Sequence, residues 1–224
     1  MGSFEIIKRT DLLKLESLDI IGESEKLSYH IEQDLSSYYG INLYRLDLEV
    51  MSDSLKSRYP IIANLDINRR LLSKLKVKYL MENPFSIVNF SDGKNYYVTK
   101  DLKVLERVNY GYLKKSLPVI TTKCKSTDFN NGRVISDSLT IEMNDYLQYV
   151  LEMRPDFQER ISDIFMDGKK IYIREMFRGN IVYLGRENIS EKIDLFLSHS
   201  NSFTSGLYID LSYKDQIVTR RADY

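Results

Sequence analysis

Between positions 74 and 81, Leu75, Val77, Tyr79 and Met81 fall on every second residue, against Lys74, Lys76 and Lys78. Only an extended strand sends alternate side chains to opposite faces, so this stretch needs one apolar neighbour and one wet face. The preceding segments supply the neighbour. Leu27, Ile31, Leu35 and Tyr38 recur at three- and four-residue spacing and line one face of a helix, with Ser24 or Ser28 as its cap and Gly40 as its stop. A second helix over 49–58 presents Val50, Met51 and Leu55, and Pro60 follows it. Leu13, Leu15, Leu18 and Ile20 suit a strand that stops at Gly22, and Ile61, Ala63, Leu65 and Ile67 alternate as another. The order strand–helix–helix–strand–strand predicts two helices packed on three strands. The lysine row is expected on a solvated face with an edge-protecting role, because lysine discourages stray strand pairing.

After Asn83-Pro84 the pattern changes to short strands, over 85–90, 95–99 and 103–107, with a tight-turn signal at Asp92-Gly93. Asp167-Gly168 and Gly179-Asn180 mark turns around strands at 170–177 and 181–184. Two helices interrupt the strands. One covers 138–153, with Leu139, Met143, Leu147 and Val150 on one face and Pro155 beyond its end. The other covers 190–198, with Ile193, Leu195, Phe196 and Leu197 as its apolar members. The last element is a strand hairpin over 207–220, with Lys214, Asp215 and Gln216 at the bend.

Nothing here points to chemistry. Lys+Arg and Asp+Glu are both 32, and a net charge of zero argues against a chain built mainly to hold nucleic acid. Arg69-Arg70 and Arg220-Arg221 are too short to change that. His30 and His199 stand apart, with no Cys or carboxylate at metal-ligand spacing. No nucleophile elbow, Walker loop or dinucleotide glycine loop is present. Asp66, Glu82 and Asp210 sit next to strands, where turn capping or surface ion pairing accounts for them. The single Cys124 excludes an intramolecular disulfide and reads as a small residue in a strand. No catalytic residue, metal, cofactor or small-molecule substrate is expected. No run reaches the roughly 18 apolar residues a membrane helix needs.

In order along the chain, several segments resemble the extracytoplasmic part of the bacterial cell-division family FtsQ/DivIB. Leu18-Asp19-Ile20-Ile21-Gly22 resembles the strand-and-glycine opening of that family's POTRA domain, followed by Ile31–Leu35 and Tyr39–Leu43. Tyr59-Pro60-Ile61-Ile62-Ala63-Asn64-Leu65 is similar to its approach to the second strand. Leu75–Pro84 is similar to its third strand, with one residue fewer before the proline. Asp92-Gly93 with Tyr97–Asp101, Leu117-Pro118-Val119-Ile120, and Val182–Gly185 with Glu191-Lys192-Ile193 resemble successive parts of its β domain. Tyr208-Ile209-Asp210-Leu211-Ser212-Tyr213 resembles its terminal motif, with Ser212 in place of an arginine.

The resemblance implies an α+β chain. A POTRA domain (β-α-α-β-β) over 15–83 would precede a β-rich domain over 84–224 with a curved mixed sheet and two helices, and residues 1–14 would be a stub after a removed membrane helix. Met1-Gly2-Ser3 reads as added sequence as readily as native. The implied function is a non-enzymatic divisome scaffold at the cell (inner) membrane, single-pass, with this part on the periplasmic or extracytoplasmic side. Its implied partners are FtsB/DivIC-like and FtsL-like division proteins, captured partly by β-strand addition to the last strand. Carried onto this chain, the partner-binding residues are Tyr213 on the motif's tyrosine, Ser212 beside it, and Ile217, Val218 and Thr219 on the strand after the bend. An edge strand suits this role, since its free N–H and C=O groups can pair with a partner segment. The alternative is a POTRA-bearing protein of outer-membrane or two-partner secretion that binds unfolded polypeptide.

Overall fold

The computed structural model describes residues 13–70, 73–107, 117–129, 132–213 and 216–221, so most of the expected stub, residues 1–12, lies outside the described residues. These residues form two compact units, one holding 13–83 and the other 84–107 and 117–221.

In the first unit β1 (Ser17–Ile21), α1 (Glu25–Leu35), α2 (Leu48–Arg58), β2 (Ile62–Arg70) and β3 (Lys74–Met81) follow one another, the β-α-α-β-β order expected of a POTRA domain. β3 is the central strand, parallel to β1 and antiparallel to β2. Leu75, Val77 and Tyr79 are buried and the three lysines face outward. The lysine face is therefore solvated, but its edge-protecting role is corrected: both flanks of β3 are already paired. Instead the row is met by carboxylates across the strands. Asp19 stands opposite Lys76, with 3.9 Å between Oδ2 and Nζ, and Asp66 stands opposite Lys78.

Local chemistry sets the ends of these elements. The Ser24 hydroxyl accepts from the Leu27 N–H at 3.3 Å and caps α1; the Asp47 carboxylate accepts from Glu49 and Val50 N–H and caps α2. Arg69, of a pair too short to suggest nucleic acid, donates to the carbonyls of Leu43 and Leu46 at 2.9 and 2.6 Å and ties the loop before α2 to β2. The first strand is shorter than expected, because Leu13 and Lys14 lie in a turn and an isolated bridge to Asn42. Val50 is exposed, leaving Met51 and Leu55 as the buried members of α2. Ala63 also faces out. A register shift between Ile62 and Asn64 adds a residue on β2, so that Ile62 and Leu65 both point inward.

The second unit is one nine-stranded sheet in the order β12-β11-β10-β9-β8-β7-β4-β5-β6. Its strands are β4 (Ser86–Asn89), β5 (Asn95–Val98), β6 (Val104–Arg107), β7 (Val119–Thr121), β8 (Ile161–Asp167), β9 (Lys170–Glu175), β10 (Ile181–Tyr183), β11 (Leu207–Asp210) and β12 (Val218–Arg221). β4–β7, β7–β8 and β10–β11 are parallel pairs and the rest antiparallel, giving a mixed sheet.

Parallel neighbours need a crossover, and each of the last two has a helix: α3 (Ser138–Met153) between β7 and β8, and α4 (Ile189–His199) between β10 and β11. Both crossovers step toward the same sheet edge between strands of one direction. Right-handed connection then puts both helices on the same face. The core agrees, since Met143, Leu147, Val150, Ile193 and Phe196 pack with Ile164, Ile171, Ile173, Val182 and Ile209. Phe157 and Phe196 meet edge to face at 6.1 Å.

Several expectations change here. Leu139 is exposed and Thr140 takes its place under α3, while Ile189 joins Ile193 and Phe196 under α4. Strand β8, which no expectation from the sequence covered, has a shift between Ile161 and Asp163 that turns both Ile161 and Ile164 inward. Cys124 is not in a strand: it lies in a bend after β7, where its carbonyl accepts from the Ser91 N–H and hydroxyl at 2.8 and 2.9 Å.

Two substitutions test this construction. The Tyr79 ring occupies the space where a Cβ on Gly22 would stand, and its hydroxyl donates to Ser24 O at 2.6 Å. Gly22→Ala should therefore destabilise the first unit by about 1–3 kcal/mol in a denaturant titration. At the start of α3, burial opposes the Asp137 charge, but hydrogen bonds from the Thr140 hydroxyl and N–H outweigh it and hold the carboxyl below its usual range. That stabilisation is present above the unfolded-state value and lost as pH falls through the lower folded value. Asp137→Ala should cost about 1 kcal/mol at neutral pH and less in acid, measured by melting across pH.

Candidate functional site

Among the described residues the sheet ends at β12, four residues whose side chains are all exposed and which pair on one side only, with β11. The register fixes which of its peptide groups are free. Leu211 N–H donates to Tyr183 O at 2.9 Å and Leu207 N–H to the Asn180 side chain at 2.9 Å, so the odd-numbered peptides of β11 face β10. Peptide direction alternates along a strand, so Tyr208 and Asp210 face β12, opposite Arg220 and Val218. Val218 and Arg220 therefore spend their backbone groups on β11. Thr219 and Arg221 turn theirs to the open edge.

The five expected partner-binding residues divide accordingly. Val218 and Thr219 stand on the edge strand. Ile217 precedes it and is half-buried against the core. Ser212 and Tyr213 are not in a strand, although the apolar run suggested that 207–213 continues as one. The cause is Asp210, whose carboxylate accepts from the Ser212 N–H at 2.8 Å and its hydroxyl at 2.6 Å, turning the chain out of β11. Tyr213 lies in that bend with 54% of its surface exposed. Of the expected bend, Lys214 and Asp215 lie outside the described residues.

The sequence reading missed the face beside this edge, the one the helices leave uncovered. Phe165, Tyr172, Tyr183 and Tyr208 form a continuous aromatic layer there, with centroid distances from Tyr172 of 5.6 Å to Phe165, 5.4 Å to Tyr183 and 5.6 Å to Tyr208. Three cations lie on the rings: Arg220 4.2 Å from the Tyr208 centroid, Lys170 4.6 Å from Tyr183, and Arg174 5.6 Å from Phe165. Arg174 also pairs with Asp163 at 3.0 Å, yet burial wins and pushes that carboxyl up. Burial, then the hydrogen bond to the Tyr172 hydroxyl, raises the Tyr208 phenol well above its usual value. A depression of 190 Å³ opens among Phe165, Tyr172, Ile181, Tyr208, Arg220 and Arg221. The period-2 placing of Tyr172 between Ile171 and Ile173, and of Tyr208 before Ile209, was the available signal.

This arrangement can bind an extended polypeptide. No cluster of three His, Cys, Asp or Glu among the described residues is placed to hold a metal. His30 packs edge-on to Tyr29 and His199 accompanies Ser198 and the Leu195 carbonyl at the end of α4. No helix of the described residues is long and apolar enough to cross a membrane.

A family model described as "Cell division protein FtsQ/DivIB, C-terminal" matches residues 87–212, more than half of the chain. It runs from β4 through the Asp210 turn and stops short of β12. No curated protein matches the chain.

The Asp210 turn is testable by itself. Asp210→Ala leaves the exposed Ser212 N–H to water and should cost about 0.5–1.5 kcal/mol. Amide exchange should quicken at Ser212 while β8 and β9 keep their protection.

Proposed function

Because the chain belongs to the FtsQ/DivIB family of cell-division proteins, we propose that it is a non-enzymatic divisome scaffold that binds FtsB/DivIC-like and FtsL-like proteins outside the cytoplasm. In this reading the full-length protein is held at the cell membrane by one helix, and the second unit captures its partner partly by strand addition to β12. One observation carries it: β12 is a wholly exposed edge strand with the Thr219 and Arg221 peptide groups turned away from its own sheet. A partner segment laid along it would gain main-chain hydrogen bonds, and its alternate side chains would reach the aromatic and cationic surface around Tyr208 and Arg220. Tyr213 and Ser212 would then meet the partner where it leaves the strand. The family match lies in the second unit, which favours division over secretion of unfolded polypeptide through the first.

The test is calorimetric binding of this chain to the extracytoplasmic segment of its host's FtsB/DivIC-like protein. Thr219→Pro removes the outward donor of β12, where proline is tolerated because the position is on an edge, and Tyr213→Lys reverses the surface at the bend. The double variant should keep its melting temperature and lose binding at least about tenfold, a free-energy change of about 1.4 kcal/mol or more. Unchanged affinity in the folded double variant would remove β12 from the interface.

A further inference from the structure

On the opposite side of the second unit, the solvent face of α3 carries a feature that scaffolding through β12 does not use. Ile141, Asp145, Tyr149 and Met153 lie four residues apart, and all four are exposed. Successive members of such a row turn by only about 40° around the helix axis, so they form one continuous ridge of the kind that packs into the groove of another helix. Three of the four are large and apolar, an arrangement water does not favour on a helix whose inward face is already satisfied by Met143, Leu147 and Val150. Beside the ridge is a depression of 480 Å³, floored by Ile171 and walled by Tyr146 and Arg186.

Charge decides what could fill it. Helix α3 bears Glu142, Asp145 and Glu152 and no Lys, Arg or His. Arg186 pairs with Glu142, whereas Asp145 and Glu152, both exposed, make no ion pair among the described residues. Acidic side chains interleaved with Ile141 and Tyr149 disfavour an anionic lipid surface and favour a cationic partner. We propose that α3 is a second docking surface, for an amphipathic helix that carries an aliphatic row flanked by lysine or arginine. The aliphatic row lies against Ile141, Tyr149 and Met153, and the flanking cations meet Asp145 and Glu152. This surface is on a different element from β12, so the two can be occupied independently.

The test uses two synthetic three-heptad amphipathic helices with the same leucine row, one flanked by lysines and the other by glutamates. Fluorescence anisotropy measures binding to the whole chain, and amide chemical shifts locate it. The lysine-flanked peptide should bind more tightly, weaken as salt rises, and shift the amides of Ile141, Asp145 and Tyr149. Asp145→Lys with Tyr149→Lys should weaken it about tenfold or more, and Thr219→Pro should leave it unchanged. Equal binding of the glutamate-flanked peptide, or shifts confined to other elements, would overturn the proposal. Should the double variant fold poorly, Ile141→Ser and the shift map on the unaltered chain decide the outcome. Loss of partner binding at β12 would leave this result standing, and the reverse is equally true.

Discussion

Burial of one face of the nine-stranded sheet under α3 and α4 is the constraint that places everything else in the second unit. Each fully buried Leu, Ile or Phe is worth about 1.5–3 kcal/mol relative to exposure, and Leu147, Val150, Phe157, Ile193 and Phe196 all lie in that layer. Both helices are crossovers between parallel strands, so packing them on the same face forces the sheet to grow in one direction, from β7 to β8 and from β10 to β11. The chain that emerges from α4 must become the outermost parallel strand. β12 then pairs antiparallel on the far side of that strand. The exposed edge at β12 is a consequence of core packing much further back.

The uncovered face had to be made tolerable to water by other means. Phe165, Tyr172, Tyr183 and Tyr208 pack against one another, and Lys170, Arg174 and Arg220 lie over their rings. The ring contacts and the overlying cations shield much of this layer, and Tyr172 at its centre is buried. Around Tyr208 the layer also braces β11 against β9 through the Tyr172 hydroxyl at 3.3 Å. The same side chains therefore stabilise the sheet and shape the surface next to its edge.

Much of the fold was legible where periodicity is local and unbroken. The α1 face of Leu27, Ile31 and Leu35, the α3 face of Met143, Leu147 and Val150, and the alternation of β3 all read correctly because each depends on residues within two turns or one strand. The failures have a common physical form. Val50 and Leu139 are apolar beside a buried stripe, and periodicity cannot say which flank meets a neighbour. The irregularity at Ile62/Asn64 shifts the period-2 phase by one residue, which displaces the expected alternation of Ile61, Ala63, Leu65 and Ile67. Lys74, Lys76 and Lys78 announce a wet face but not whether their strand is central or at an edge, since pairing with β1 bridges more than fifty residues of chain. In the candidate site, the terminal hairpin and Val218 and Thr219 could be read in advance. The Asp210 turn could not be read from periodicity, because it rests on a side-chain bond to Ser212, and the outward direction of the Thr219 peptide could not, because it follows from the hydrogen bonds of β11 to β10.

Net charge shows the same limit. With 32 acidic and 32 basic residues the chain is neutral as a whole, which excludes a surface of one sign but says nothing about sorting. Folding does the sorting in the second unit. Lys170, Arg174, Arg220 and Arg221 gather around the aromatic face and its edge, while α3 keeps Glu142, Asp145 and Glu152 without a cation of its own. A segment approaching the edge would therefore meet mainly cations, and one approaching α3 mainly carboxylates. Segments of unlike charge would be steered to different sides, and a segment bound in the wrong place would meet like charges. Under the proposed scaffold role, that separation would discriminate between partners by charge.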